Sequence, residues 1–239
     1  MTDDVELAGR LAGTALKVLL ALREDGTLSG KPLGAAGDAT ANAFLVRALA
    51  EARPDDGVLS EEEKDSAARL AKSRVWVIDP LDGTREYGEG RDDFAVHVAL
   101  CIDGRPDIAA VAMTDGVRTT ADPRPLTPHG GTPRLVVSRS RPPEVAEKCA
   151  AAIGAELVPM GSAGAKVLAV VKGEVDAYVH AGGQYEWDSA APVGVALAAG
   201  LHCTRIDGSP LVYNQPDVLL PDLLICRPEY AEKLLAACR

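Results

Sequence analysis

Two carboxylates three residues apart close an apolar run in Asp79-Pro80-Leu81-Asp82-Gly83-Thr84. Carboxylate oxygens are the hard donors that Mg²⁺ prefers. Pro80 fixes its own φ and contributes no N–H, which leaves neighbouring carbonyls free to turn toward a cation. Gly83 lets the backbone come close to a ligand. The N–H groups of Gly83 and Thr84 can receive phosphate oxygens if they open a turn or helix. One short segment therefore offers metal-binding oxygens on one side and anion-binding N–H groups on the other. An ordinary Asp-Gly turn after a strand explains Asp82-Gly83 alone, but not the whole string.

Further acids stand where they could join this pair. Glu61-Glu62-Glu63 follows the strand-like Val58-Leu59-Ser60. Ser60 and Glu63 match a capping box, so Glu62 and Glu63 read as the solvated start of a helix. Glu61 differs because it follows the strand at once. Asp188, in Glu186-Trp187-Asp188, and Asp38 each precede a helical stretch, where capping is the default role. Taken together, these acids allow a second option. Mg²⁺ ions completed by a substrate phosphate serve phosphoryl displacement.

The elements that must carry these residues are legible in the periodicity. Residues 3–24 predict an amphipathic helix, with Leu11, Ala15, Leu19 and Leu22 at three- and four-residue steps. A second helix is expected from about Ala39 to Ala52, ended by Pro54. Strands are expected at Gly57–Ser60, Arg74–Ile78, Phe94–Ile102 and Ile108–Met113, the last two joined by a turn at Asp103-Gly104. The Pro- and Gly-rich stretch 122–133 reads as a boundary. After it, strands near 135–137, 156–159, 175–180 and 223–226 alternate with helices near 143–153, 163–172 and 189–199 and a last one at the end, an α/β pattern.

Composition removes other classes. Acids outnumber bases 35 to 25, a formal net charge of −10, which disfavours nucleic acid and anionic membrane as partners. No apolar run reaches a membrane span, since Lys17 interrupts the best candidate, Leu11–Leu22. Cys101, Cys149, Cys203, Cys226 and Cys238 form no CxxC pair, which reads as reduced thiols of a cytoplasmic protein. His97, His180 and His202 lie in apolar, strand-like text and read as core or edge residues.

Leu59-Ser-Glu-Glu62, Trp76-Val-Ile-Asp-Pro-Leu-Asp-Gly-Thr84 and Trp187-Asp188 resemble the three signatures of the lithium-sensitive, magnesium-dependent phosphatases. That family contains inositol monophosphatases, fructose-1,6-bisphosphatases and 3′-phosphoadenosine 5′-phosphate (PAP) phosphatases. The resemblance spans nearly the whole chain. It implies a layered αβαβα sandwich. An α+β half over about 1–127 would carry most metal ligands, and an α/β half over about 128–239 would carry Asp188 and the selectivity residues. It implies that Glu61, Asp79 and the Leu81 carbonyl hold one Mg²⁺, and that Asp79, Asp82 and Asp188 hold another. A third ion would sit near Asp38. Leu81, Asp82, Gly83, Thr84 and Asp188 would surround the phosphate. Asp38 and Thr84, with Glu61, would orient or deprotonate the attacking water. Li⁺ is the implied inhibitor. The family usually writes Thr-x-Ala-Asp before the second helix, where this chain has Ala35-Ala36-Gly37-Asp38.

Within the family, Ser162-Ala163-Gly164-Ala165-Lys166 resembles the PAP-phosphatase branch, where a helix lysine faces the nucleotide. Ser138-Arg139-Ser140-Arg141 resembles its adenylate-side Ser-Arg-Ser turn. Surface charges are the alternative for these cations. Gly182-Gly183-Gln184-Tyr185 and Asp207-Gly-Ser-Pro-Leu211 resemble the bacterial CysQ type in its actinobacterial form. The implied activity is that of a 3′(2′),5′-bisphosphate nucleotidase of sulfate assimilation, converting PAP to AMP and phosphate. It would act as a monomer or homodimer, without nucleic acid or membrane. Inositol 1-phosphate or fructose 1,6-bisphosphate is the alternative substrate. A silent metal-binding regulatory module is the alternative of another class, and it predicts a decayed ligand set that this chain does not have. Bound Mg²⁺ would reverse the local sign of the acidic site, so the net charge does not exclude a phosphate ester.

Overall fold

In the computed structural model, residues 2–122 and 130–239 are described. The boundary expected at 127/128 lies outside them. The chain opens with α1 (Thr2–Asp25) and α2 (Gly30–Ala52). A first sheet follows from β1 (Gly57–Ser60), β2 (Arg74–Asp82), β3 (Ala95–Ile102), β4 (Arg105–Met113) and β5 (Gly116–Thr119), paired in that order. The short helix α3 (Thr84–Gly88) follows β2. A second sheet, in the order β7-β6-β8-β10-β9, is built from β6 (Arg134–Ser138), β7 (Glu156–Met160), β8 (Ala177–Tyr185), β9 (His202–Thr204) and β10 (Leu219–Cys226). Helices α4 (Val145–Ile153), α5 (Ala163–Val171), α6 (Glu186–Ala198) and α7 (Ala231–Ala237) complete the chain.

The two-residue side-chain period of β2 sets the layering. Trp76 and Ile78 face α1 and α2, among Leu11, Leu19 and Leu45. Val75 and Val77 face the opposite way, into a core with Val167, Val193, Leu223 and Ile225 that also holds α5 and α6. Leu135, Val137, Val179 and Leu224 form a third core with Cys149 of α4 and Leu234 of α7. Three cores between five layers make the αβαβα sandwich. Asp103 and Gly104 have φ of 48° and 80°, the left-handed pair that a two-residue hairpin between right-twisting strands requires.

Several boundaries differ from expectation. Helix α2 starts at Gly30, so Asp38 lies inside it and does not cap it. Its small residues permit contact: a Cβ at Gly34 would stand 2.8 Å from the Thr84 Cγ2, and one at Gly37 2.8 Å from the Tyr87 ring. Strand β2 continues through Asp82 with a bulge between Asp79 and Asp82, opposite His97 and Ala95, so the acidic string is a bulged strand end and not a turn. Pro80 sits in that bulge, where a missing N–H is tolerated. No helix begins at Ser60, the next helical turn being the 3₁₀ segment Ala67–Ala71 capped by Ser66, and the expected capping box does not form. The Ser60 hydroxyl donates to Asn42 Oδ1 at 2.8 Å, and Glu63 accepts from Asn42 Nδ2 at 2.8 Å. β5 is not among the expected strands, and β9 is foreshadowed only by the strand-like text around His202. Among the described residues, no helix is long and apolar enough to cross a membrane.

Asp222 of β10 takes both prongs of the Arg205 guanidinium at 2.8 and 2.7 Å and the Ile206 N–H at 2.9 Å. Burial alone would raise its carboxyl, but the Arg205 and Ile206 bonds hold it below the usual carboxylate range. A folded-state value below the unfolded one gives stability that is present above the unfolded value, about 3.9, and is lost as pH falls through the folded one. The melting temperature is therefore expected to drop below about pH 4, and to drop less steeply in Asp222→Asn. Parallel melting curves from pH 6 to 3 check this, and equal slopes would remove Asp222 from the account.

Candidate active site and metal centre

The bulged end of β2, the start of α6 and the start of α5 meet between the two sheets. One carboxylate oxygen each from Asp79, Asp82 and Asp188 lies within 4.8 Å of the others. Asp79 is 1% exposed and Asp82 7%. Their environments push them apart. Burial, then the charges of Asp82, Glu61 and Asp188, drive the Asp79 carboxyl well above the usual range. Burial also acts on Asp82, but the His97 ring, Lys166 and the Gly164 N–H outweigh it and hold that carboxyl low. Asp188 is pushed up to about 6 by burial and by Asp82.

Local structure explains each position. Asp79 Oδ1 accepts from the Leu81 N–H at 3.0 Å, and the Leu81 carbonyl accepts from Thr84 Oγ1 at 3.0 Å. Asp82 receives the Ala163 and Gly164 N–H groups at 3.2 and 2.6 Å, the first turn of α5, where a carboxylate is favoured. Ser162 caps that helix, accepting from the Ala165 N–H at 3.0 Å. Gly83 has φ of 88°, and a Cβ there would stand 2.9 Å from Ser162, so no other residue fits readily. Asp188 caps α6 through the Tyr185 N–H at 2.6 Å and also faces the acidic cluster.

Asp38 Oδ2 stands 3.5 Å from Thr84 Oγ1, and its Oδ1 is buried without a partner among the described residues. Burial and the nearby Glu62 charge push Asp38 up to about 7. Glu61 stands outside the tight group. It is exposed at the lip of the site, yet the surrounding protein, with Asp188, Asp38 and Asp82, raises its carboxyl to about 7.

Beyond the acids opens a cleft of about 520 Å³, lined by Gly83, Thr84, Ser138, Arg139, Ser140, Ser162, Lys166 and Asp188, among others. It thus brings Asp82, Gly83 and Thr84 together with Ser138, Arg139, Ser140, Ser162, Lys166 and Asp188, whereas Asp38, Glu61, Asp79 and Leu81 do not line it. Two cations differ from expectation in how they are held. Lys166 is buried, not solvent-facing. Its ammonium donates to the Gly161 carbonyl and to the Ser162 carbonyl, the latter at 2.7 Å, and lies 5.4 Å from the Tyr178 ring centre. The Arg139 guanidinium donates to Glu86 at 2.7 Å and Glu89 at 3.3 Å. The Ser138 hydroxyl accepts from the Arg141 N–H at 3.2 Å.

His97 is the residue that sequence reasoning undervalued. It is fully buried on β3, as expected of a core residue, but its Nδ1 lies 3.0 Å from the Trp187 carbonyl and its Nε2 3.3 Å from Asp82. It joins β3 to the start of α6 and to a cluster carboxylate. One signal was available: it is the only basic side chain in the strand Ala-Val-His-Val-Ala-Leu-Cys-Ile, and a buried polar ring needs a partner.

The inositol monophosphatase family model matches residues 5–121 and 130–239. The chain belongs to the inositol monophosphatase family. Within this family, the chain is 53% identical over 237 residues to a 3′-phosphoadenosine 5′-phosphate phosphatase of Mycobacterium bovis, covering 92% of this chain and 88% of that protein. It is 29% identical to the 3′(2′),5′-bisphosphate nucleotidase CysQ of Escherichia coli K12, over 92% of this chain and 96% of the relative. The crystal structure of CysQ from Bacteroides thetaiotaomicron superposes with a TM-score of 0.81 at 25% identity, over 94% of this chain and 97% of that one. These relatives bear out the expected family and the layered fold.

Proposed function

We propose that the protein is a magnesium-dependent phosphomonoesterase that removes the 3′-phosphate of PAP, releasing AMP and phosphate. The observation that carries this reading is the convergence of Asp79, Asp82 and Asp188 within 4.8 Å at one end of the cleft. The names of the mycobacterial and CysQ relatives support the substrate.

The donor set fits a hard divalent cation. Three crowded carboxylates repel one another unless a cation sits among them, and carboxylate and carbonyl oxygens are what Mg²⁺ selects. Asp79, Asp82 and Asp188 would hold one ion, and Glu61, Asp79 and the Leu81 carbonyl a second, with a third near Asp38. When bound, Mg²⁺ supplies charge neutralisation of the phosphate and of the leaving oxygen. The chain itself does the rest. Gly83 and Thr84 orient the phosphate. The Thr84 hydroxyl would accept a proton from the attacking water as its own hydrogen turns from the Leu81 carbonyl and passes to Asp38 Oδ2, 3.5 Å away. Ser138, Arg139, Ser140, Ser162 and Lys166 face the rest of the substrate. In this reading hydrolysis is direct, by water, with no phosphate carried on a side chain. The same reading makes this a cytoplasmic enzyme, monomeric or homodimeric, that uses neither nucleic acid nor membrane.

Phosphate release from PAP, inositol 1-phosphate and fructose 1,6-bisphosphate, measured side by side with Mg²⁺, tests the assignment. PAP is expected to be hydrolysed fastest, and added Li⁺ to suppress the rate. Faster release from inositol 1-phosphate would overturn the substrate assignment, and a trapped phosphate on Asp79 would overturn the mechanism.

A further inference from the structure

Strand β8 carries a bulge in the cleft wall. Its partner β10 pairs Leu220 with Gln184 and then Asp222 with Ala181, so Gly182 and Gly183 oppose a single residue. Both glycines have left-handed φ, 130° and 88°. A bulge bends a strand and re-aims its side chains. Gln184 Nε2 accordingly donates to the Tyr178 hydroxyl at 3.0 Å, although six residues of regular strand would separate the two by roughly 20 Å.

Gln184 lines the cleft and is only 8% exposed. One of its amide hydrogens goes to Tyr178, which leaves a second. Its Oε1 is buried without a partner among the described residues. His180, on the same wall, has both ring nitrogens buried with neither in hydrogen-bond geometry, although the Gly183 backbone lies close by. Proteins leave few buried polar atoms unpaired, because the water they lose must be replaced. Several such atoms in one wall of a ligand cleft point to a ligand that supplies the partners.

The chemistry of the wall narrows that ligand. Burial, then the nearby charges of Lys166 and Arg141, outweigh the Gly183 contact and bias the His180 ring toward its neutral form, so an amide and a neutral imidazole make a poor phosphate site. A glutamine amide presents an acceptor and a donor side by side, which matches the amino group and adjacent ring nitrogen of adenine. We infer that Gln184, assisted by His180, reads the amino edge of the adenine ring and sets the base specificity of the cleft. This inference rests on the nucleotide reading above.

Kinetics of the full chain with Mg²⁺ on adenosine 3′,5′-bisphosphate and its inosine counterpart, whose amino group is replaced by a carbonyl, test it. The wild type is expected to prefer adenine by about tenfold or more in kcat/KM. Gln184→Met keeps the length but removes both amide partners. It should raise KM for the adenine substrate about tenfold, with the loss in KM rather than kcat, and bring the ratio toward one. Tyr178→Phe breaks the same Tyr–Gln bond but retains the amide, and should keep the preference for adenine. If it lost the preference as Gln184→Met does, the amide's role would be structural and the inference overturned. Calorimetric binding of AMP and of inosine 5′-monophosphate to the wild type needs no variant, and equal affinities would also overturn it. Hydrolysis of inositol 1-phosphate with neither nucleotide accepted would defeat the nucleotide reading and this inference together. Hydrolysis of both nucleotides without preference would defeat this inference alone.

Discussion

Asp79→Asn is expected to lower kcat by roughly three orders of magnitude or more while raising the melting temperature of the metal-free protein. The two effects share one cause. Asp79 is buried beside Asp82, within the influence of Glu61 and Asp188, and both burial and those charges oppose its ionised form. The amide removes the repulsion and keeps an Oδ1 for the Leu81 N–H. It also removes the charge that would share in cation binding, so the stabilised variant is inactive, a trade common at active sites. Added Mg²⁺ should raise the wild-type melting temperature by mass action, and raise that of the variant much less. Thermal melts in EDTA and in Mg²⁺, alongside phosphate release, read all three quantities. A fall in the metal-free melting temperature, or turnover above a few per cent of wild type, would contradict the assignment.

Gly164→Ala should be nearly as damaging, by a different route. A Cβ at Gly164 would stand 2.2 Å from His97 Nε2, 2.9 Å from Ala95 Cβ and 3.2 Å from Asp82 Oδ2. None of these neighbours is the loose end of a flexible side chain. His97 is fully buried and tied to the Trp187 carbonyl, and Ala95 belongs to β3. Either α5 retreats, taking its N–H groups off Asp82, or the His97–Asp82 contact is displaced. Overpacking of this kind costs about 1–3 kcal/mol, and an ångström of misplacement at a reacting centre costs about 100-fold in rate. Gly194→Ala is the control. Its Cβ would clash with Ala109 and the Pro106 carbonyl, both at 2.7 Å, where α6 packs on β4 away from the acids. Both variants should lose stability, but only Gly164→Ala should lose kcat per folded molecule. Equal kcat values would mean that the start of α5 does not position Asp82.

The motif Asp79 to Thr84 was legible because it packs several unusual demands into six residues. The alternation of strands and helices in the second half was legible because its cores repeat with regular periods. What escaped depended on partners distant in sequence. Ser60 and Glu63 have the local form of a capping box, but Asn42 of α2, distant in sequence, binds both. Gly34 and Gly37 resemble loop residues until Thr84 and Tyr87 are seen against them. β5 is a short edge strand of half-buried residues, with too little contrast between faces to register, and β9, another such strand, is legible only around His202. Asp188 illustrates the reverse case: the cap and the cluster acid are one side chain, and neither reading excludes the other. Arg139 was legible as a cleft residue, whereas its engagement by Glu86 and Glu89 required the fold.

Helix α6 lies between the two sheets. Its buried residues share one core with strands of both, its first turn provides Asp188, and the Trp187 carbonyl holds His97. A domain-closure enzyme has two bodies joined by a hinge, and each can loosen while the other stays intact. Here the helix is common property of both halves, so neither can detach without exposing the other's interior. The shared core is therefore expected to limit opening of the cleft, and local unfolding of either sheet to expose part of the other's interior.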